Sequence, residues 1–390
     1  MLKQPLVGHP GHLGFASSRI FLRVSGKVVG VDVETLLERA AAIPSVSGAE
    51  RGLAEFLTAQ LLSFCDEAFI DAAGNAVGRV GSGPLNVTFL GHIDTVPGIV
   101  PVRVESGKLY GRGTVDAKGP FCTAVAAASL LSPEAKDALT LTLIGAVEEE
   151  VPSSKGARFA VTTYPKPDLL IIGEPSSWDA VTLGYKGRLV GKLELIKPAF
   201  HSAGEGTTAA EDLADCWQKV KTWAEGTPSA TPGPFDRVQV ALQGFNTQSD
   251  GLNQVAEAVV GLRLPPACPP ADAERGVRRT LAGVEGLEVT FSGHEAAYRG
   301  PKDTSLTRAF RVAIRASGGT PRFKVKTGTS DMNVVAPSWS VPILAYGPGD
   351  SALDHTPNEH VELAELTRAV TVFRAALEHL ARGSRTAKRP

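Results

Sequence analysis

An apolar run from Val87 to Leu90 leads into Gly91-His92-Ile93-Asp94-Thr95-Val96-Pro97-Gly98. The run reads as a buried strand, so His92 and Asp94 emerge at its C-terminal end. A histidine two residues before an aspartate suits an imidazole bound to metal through one nitrogen and oriented by a carboxylate through the other. Four more candidate ligands lie just past a strand or in a Gly/Pro-rich loop after one: Asp116, Glu150, Glu174 and His355. In α/β sheets, ligands bind outside the carboxyl ends of the strands, so chain-distant residues can converge there. This repeated placement makes a di-metal hydrolase on an α/β fold the leading reading.

The order of elements supports that class. Helical periodicity covers Asp32 to Ile43 and Glu50 to Phe64, followed by strands at Ala68–Asp71, Ala76–Val80 and Leu85–Leu90. Gly78-Arg79-Val80-Gly81-Ser82-Gly83 runs into a strand, which predicts a hairpin turn in place of a phosphate loop. An alanine-rich helix from about Pro120 to Leu131 is expected to pack closely on the sheet, with further strands at Leu139–Val147 and Asp168–Ile172. Buried strands alternating with helices indicate an α/β sandwich.

The pattern changes at Gly184-Tyr185-Lys186-Gly187-Arg188. Strands at Leu189–Ile196, Val238–Leu242 and Ala258–Leu264, with helices at Thr208–Glu225 and Asp272–Ala282, predict two helices on an antiparallel sheet. From Thr304 the α/β pattern resumes, with a helix to Ala316, a strand at Val341–Tyr346 and a terminal helix from Val361 to about Ala381. The expected organisation is a disordered extension over 1–30, a catalytic domain in two parts (31–184 and 298–382), an inserted domain over 185–297 and a basic tail over 383–390. His9 and His12 read as tail residues, not ligands.

Composition narrows the function classes. The chain has 390 residues, 43% hydrophobic and 21% charged, enough for two packed domains. Its net charge of −1 supplies no global field toward nucleic acid or membrane. Four scattered cysteines without a CxxC pair argue against a disulfide framework or zinc finger and fit a reducing cytoplasm. No apolar run reaches transmembrane length.

Two imidazoles (His92, His355) and three carboxylates (Asp116, Glu150, Glu174) suit two zinc-like ions, with Asp116 as the natural bridge in its glycine-flanked loop. Acidic runs are usually solvated faces. Glu148-Glu149-Glu150, however, ends an apolar strand, where like charges repel at a cost unless a cation is near. Two adjacent carboxylates there can divide the labour, one binding metal and the other accepting a proton.

These residues resemble the zinc amidohydrolases of the ArgE/DapE, aminoacylase and carboxypeptidase G family over roughly residues 31–382, through GHIDTVP, GRGTVDAKG, VEEE, IIGEPS and the late histidine before Thr356-Pro357. The resemblance implies two zinc ions per subunit, which cobalt can replace, and an inserted domain that forms a homodimer. By motif, His92 and Glu174 would hold one ion and Glu150 and His355 the other, with Asp116 bridging, Asp94 orienting His92 and Glu149 as general base. His201 resembles the family histidine that polarises the scissile carbonyl, often in the partner subunit's site. Asn253 and Arg263 resemble residues that hold the substrate's carboxylate end, and Lys326 and Ser330 join them as candidate substrate contacts.

Family members commonly carry Asp-Glu-Glu followed closely by Gly, whereas this chain has Glu148-Glu149-Glu150 followed by Val151-Pro152-Ser153-Ser154-Lys155-Gly156. That variant, with Gly184–Arg188 and Lys326-Thr327-Gly328-Thr329-Ser330-Asp331-Met332-Asn333, resembles the branch acting on LysW-lysine and LysW-ornithine. There the substrate is an amino acid amide-linked to the C-terminal glutamate of a small acidic carrier protein. Arg322, Lys324 and Lys326 alternate along one expected strand, which suits either an acidic carrier or an ordinary lysine-guarded strand edge. The rival readings are an acylornithine deacetylase, a succinyl-diaminopimelate desuccinylase or a dipeptidase of the same family, and an inactive binding protein on the same scaffold.

Overall fold

A computed structural model describes residues 30–201 and 204–386. The expected extension over 1–30, with His9 and His12, therefore lies outside the described residues except for Gly30. The chain opens with α1 (Val33–Ala42) and α2 (Arg51–Leu61), then β1 (Glu67–Ile70), β2 (Ala76–Val80), β3 (Leu85–His92), β4 (Arg103–Glu105) and β5 (Lys108–Tyr110). Next come α3 (Lys118–Ser129), α4 (Pro133–Ala138), β6 (Leu139–Ala146), α5 (Lys155–Thr163), β7 (Leu169–Gly173) and β8 (Ala180–Tyr185). A second unit comprises β9 (Gly187–Pro198), α6 (Ala209–Gly226), β10 (Gln239–Ser249), β11 (Asn253–Leu264), α7 (Pro270–Thr280) and β12 (Leu287–Glu295). The chain then adds β13 (Tyr298–Arg299), α8 (Ser305–Ala316), β14 (Arg322–Lys326), α9 (Asp331–Trp339), β15 (Ile343–Ala345), β16 (His360–Glu362) and α10 (Leu363–Thr386).

The main sheet runs β1-β2-β6-β3-β7-β15-β8-β13, with β14 also paired to β8. β3 lies between β6 and β7, parallel to both. Their C-terminal ends therefore point the same way and deliver His92, Glu150 and Glu174 to one rim of the sheet. Gly91 faces Gly145 on one side and Gly173 on the other. This row makes room for aromatic packing: a Cβ at Gly173 would stand 2.4 Å from the Phe89 ring, and one at Gly145 3.0 Å from Phe121. The glycines just before His92 and Glu174 thus serve close packing beneath the rim.

Small residues let α3 press against the sheet, and all of its residues from Lys118 to Ser129 are buried. Its Val125 and Phe121 join Phe89, Phe310, Tyr346 and Phe373 in the largest core. Local sequence sets the helix starts. Asp32 accepts from the Thr35 N–H to cap α1, and Thr208 with Glu211 closes a capping box at α6.

The four-stranded antiparallel sheet has the order β10-β11-β9-β12. Leu189, Leu193 and Leu195 of β9 and Ala256, Ala258, Val260, Leu262 and Leu264 of β11 share a core with Leu213, Cys216 and Val220 of α6 and Ala273 and Val277 of α7. Alternate residues of β9 and β11 are more exposed, as expected for a sheet covered on one face. The molecule is thus an α/β sandwich carrying an α+β unit. Lys186 ties the units at their junction: fully buried, it donates Nζ to the Pro234 carbonyl at 3.0 Å, to Arg237 O and to Gln239 Oε1 at 2.8 Å.

Two sequence expectations need correction. Gly81 to Gly83 does not form a hairpin, because β6 is inserted between β2 and β3. The hairpin lies between β1 and β2, where Asp71 Oδ1 accepts from the N–H groups of Ala73, Gly74 and Asn75. Val361 belongs to β16, paired with β5, so the terminal helix starts at Leu363 and continues to Thr386. The three-residue strand His360–Glu362, with Val361 its one β-branched residue, is too short to register by period alone.

Candidate metal centre

At the rim, His92 closes β3 with its ring almost fully buried. Its Nε2 lies 3.1 Å from Asp116 Oδ1 and 3.8 Å from Glu174 Oε1. The other Asp116 oxygen, Oδ2, lies 3.0 Å from His355 Nε2, which is also 3.0 Å from Glu150 Oε1. The five side chains therefore form two sets that share Asp116, one oxygen turned to each histidine. The ligand atoms of His92, Asp116 and Glu150 all lie within 4.8 Å of one another.

Asp94 is fully buried and holds this arrangement from below. It approaches His92 Nδ1 at 3.4 Å through Oδ1, and its own carbonyl stands 3.1 Å from the same nitrogen. Its carboxylate also accepts the N–H groups of Glu149 and Glu150, both at 3.0 Å, and the Ser47 hydroxyl at 2.7 Å. One carboxylate thus orients the imidazole and fixes the turn carrying two glutamates. Ser47 was not singled out in the sequence, and neither was Glu50, which accepts the N–H groups of Gly48 and Glu148.

The three adjacent glutamates point to different partners. Glu148, at φ 59°, accepts from Ser153 Oγ at 2.7 Å and pairs with Lys155 at 3.4 Å. Glu150 reaches His355. Glu149 lines the cavity between the two units, a space of about 540 Å³ that also holds Asp116, Glu174, Arg263, Lys326, Ser330 and His355. Arg263 donates to Thr329 Oγ1 at 2.7 Å within that wall. His201 and Asn253 do not line this cavity. Asn253 opens β11 opposite Pro198, the last residue of β9, and exposed His201 follows three residues later.

Electrostatics shows what the site lacks. Burial pushes Glu174 up to about 7, helped by the charge of Asp116. Burial, with the charges of Asp331, Glu174 and Glu150, drives Glu149 well above the usual carboxylate range. Burial opposes charge on His92, yet its bonds to Asp116 and Asp94 hold it well above its ordinary value. His355 is raised to about 10 by its bonds to Asp116 and Glu150. Protons on the imidazoles thus occupy the place of positive charge.

Orphaned polar atoms point the same way. Among the described residues, buried side-chain atoms without a hydrogen-bond partner belong to Thr58, Tyr185, Asp331 and Asp354. Tyr185 and Asp354 line the cavity, and Asp331 follows Ser330 in its wall. Burial is the main cause that raises Asp331 and Asp354 to about 8 each. Tyr185 and Asp331 lie inside motifs quoted from the sequence and Asp354 directly precedes His355, but nothing in their spacing marks them for the cavity. Buried carboxylates this concentrated, with buried His92 and half-exposed His355 beside them, fit a pair of divalent cations.

The comparisons agree with this geometry. Residues 88–379 match the model of Peptidase family M20/M25/M40. A LysW-lysine hydrolase of Deinococcus radiodurans is 57% identical over 352 residues, covering 89% of this chain and 97% of that protein. A LysW-lysine/LysW-ornithine hydrolase of Sulfurisphaera tokodaii is 26% identical over 304 residues, covering 76% of this chain and 81% of its own. In fold, the chain is similar to an M20 family metallo-carboxypeptidase, Sso-CP2 from Sulfolobus solfataricus, with a TM-score of 0.76 at 18% identity over 90% of this chain and 100% of the other. A buried histidine–carboxylate rim on an α/β sheet, the carrier of a smaller α+β unit, and a family match across both units lead to one conclusion: this chain belongs to the M20/M25/M40 family of metal-dependent peptidases.

Proposed function

We propose that the protein is a di-zinc amide hydrolase that releases lysine, and in some measure ornithine, from the C-terminal glutamate of the small acidic carrier LysW. The single observation that carries the substrate is the 57% identity to a LysW-lysine hydrolase over 97% of that protein. His92 and Glu174 would hold one ion and Glu150 and His355 the other, with Asp116 between them; the two Asp116 contacts support this division. Bound there, zinc or cobalt supplies Lewis acidity toward the scissile carbonyl and the attacking water.

Glu149 takes a proton from that water as its oxygen adds to the amide carbon. The C–N bond then breaks, and Glu149 returns the proton to the departing amine, leaving a carrier carboxylate and free lysine. Arg263 and Lys326 line the same cavity and offer cations to the amino acid's own carboxylate, with Ser330 beside them. Four free cysteines, Cys65, Cys122, Cys216 and Cys268, support the reading of a reducing, cytoplasmic setting. No helix among the described residues is long and apolar enough to cross a membrane.

The working form is a homodimer built through the inserted unit. β10 is an edge strand with Leu242 and Phe245 exposed, which suits burial against a second copy. His201 and Asn253 stand outside their own cavity, so the partner's cavity is the place where they would meet substrate. Two inactive variants, His201→Ala and Glu149→Ala, should then recover activity on mixing, because a mixed dimer has one site with both residues intact. No recovery after verified subunit exchange would remove His201 from the partner's site.

The carrier would approach along β14. Arg322 pairs with Asp179, Lys324 donates to Ser177 Oγ at 2.9 Å, and Lys326 reaches the cavity, so the strip leads from the surface toward the metals. The decisive assay compares carrier-linked lysine with N-acetylornithine, each from low to high salt. Carrier-linked lysine should be the better substrate and lose apparent affinity as the Debye length shrinks to about 3 Å at 1 M. Arg322→Gln with Lys324→Gln should weaken carrier processing and spare a small acyl-lysine. Preferred turnover of N-acetylornithine would overturn the substrate; identical salt profiles would remove the strip from docking.

A further inference from the structure

Glu359 is a fully buried carboxylate at the edge of β16, far in sequence from the loop it holds. Its Oε1 accepts three backbone N–H groups: Gly113 at 2.9 Å, Val115 at 3.0 Å and Asp116 at 3.1 Å. Converging amides of this kind make an anion-binding nest, here filled by a side chain of the same protein. Its Oε2 accepts from Arg112 Nη1 at 2.8 Å. Arg112 in turn donates through Nη1 to the Thr356 carbonyl at 3.3 Å and through Nε to the Gly98 carbonyl at 3.2 Å.

These contacts join three loops. Gly98 lies in the loop leaving His92, Thr356 directly follows His355, and the nest contains the backbone N–H of Asp116 itself. The conformation is specific to the loop: Gly113 sits at φ +88°, and a Cβ there would come within 2.8 Å of the Lys118 side chain. The carboxylate is fully satisfied by three amides and a guanidinium, so its burial is compensated. Removing it would leave three buried N–H groups without partners and Arg112 without its counter-charge, held only by the Gly98 and Thr356 carbonyls.

We infer that Glu359 and Arg112 are positioning residues that set the spacing of the metal ligands by clamping the loop that follows His92 to the loops that carry Asp116 and His355. This rests on the reading of those residues as metal ligands. Outer partners of metal ligands commonly tune affinity by one to two orders of magnitude. A residue that served only to hold β16 would change the folding midpoint and leave the metal affinity of the folded protein untouched.

The test is a competition titration of metal-free dimer with zinc alone, and separately with cobalt alone, against a chromophoric chelator. Wild type, Glu359→Ala, Glu359→Gln and Arg112→Met are compared, with circular dichroism and the thermal midpoint of each metal-free protein as folding controls. Glu359→Ala should bind zinc about 10- to 100-fold more weakly. Glu359→Gln should lose less, because its amide oxygen still accepts from the nest, and Arg112→Met should weaken binding while the nest stays filled. A folded Glu359→Ala with wild-type affinity overturns the inference. Should that variant fail to fold, wild-type affinity in both Glu359→Gln and Arg112→Met overturns it equally. Wild-type protein that binds no zinc would instead overturn the ligand assignment beneath it.

Discussion

Glu149→Gln should keep both metal ions and lose about 10²- to 10⁴-fold in turnover, the usual contribution of a positioned general base. The substitution keeps the size of the side chain and removes only its capacity to accept a proton. Asp94 grips the turn through the backbone N–H groups of residues 149 and 150, so the turn should survive the change. Glu150→Gln should behave differently, because Glu150 faces His355 at 3.0 Å and the shared Asp116 lies beside both. Its main effect should be a loss of bound metal, with activity partly restored by excess zinc. Metal content by mass spectrometry and turnover at saturating substrate separate the two outcomes. Equal metal loss in both variants would show that the roles within Glu148-Glu149-Glu150 are assigned wrongly.

Removal of the metals by a chelator should abolish activity and also change how stability depends on pH. In the metal-free protein Glu174 has a pKa of about 7 against an ordinary 4.5, and Asp331 and Asp354 each lie near 8 against 3.8. A raised folded-state pKa contributes stability that is full below the unfolded value and is lost as pH rises through the folded one. His355, raised to about 10, has the same sign over a higher window. The chelated protein should therefore lose these contributions between about pH 4 and pH 8. Bound cations act in the opposite direction, since they neutralise the carboxylates and bind more tightly as ligand protons leave. The gap in thermal midpoint between loaded and chelated protein should widen from about pH 5 to about pH 8. A constant or narrowing gap would contradict the picture of a site built around positive charge.

The sequence disclosed the parts of this site that lie where strands end. His92, Glu150 and Glu174 follow apolar runs whose period and length mark buried parallel strands, so their convergence on one rim follows from sheet geometry. Asp116 and His355 lie in loops, and there the Gly-rich setting and the resemblance carried the reading. The buried partners were illegible for a physical reason. Glu359 meets the backbone of residues 113 to 116 across more than 240 positions, and a contact to backbone N–H groups leaves no residue-type signature at the other end. Tyr185 and Asp331 likewise show their importance only through burial without partners. The misplaced hairpin has a similar origin: glycine spacing marks a turn, but which strands flank it depends on β6, supplied some 60 residues later. The basic strip was legible as alternation, whereas the pairing of Arg322 with Asp179 needed three dimensions.

The most direct test is an anomalous-scattering map from crystals of the protein grown with zinc, recorded on both sides of the zinc absorption edge. Two peaks per subunit are expected, one bounded by His92, Asp116 and Glu174 and the other by Asp116, Glu150 and His355, with Glu149 next to both and bonded to neither. A single peak in active crystals, or zinc held by other side chains, would contradict the two-ion site on which the proposed hydrolysis rests.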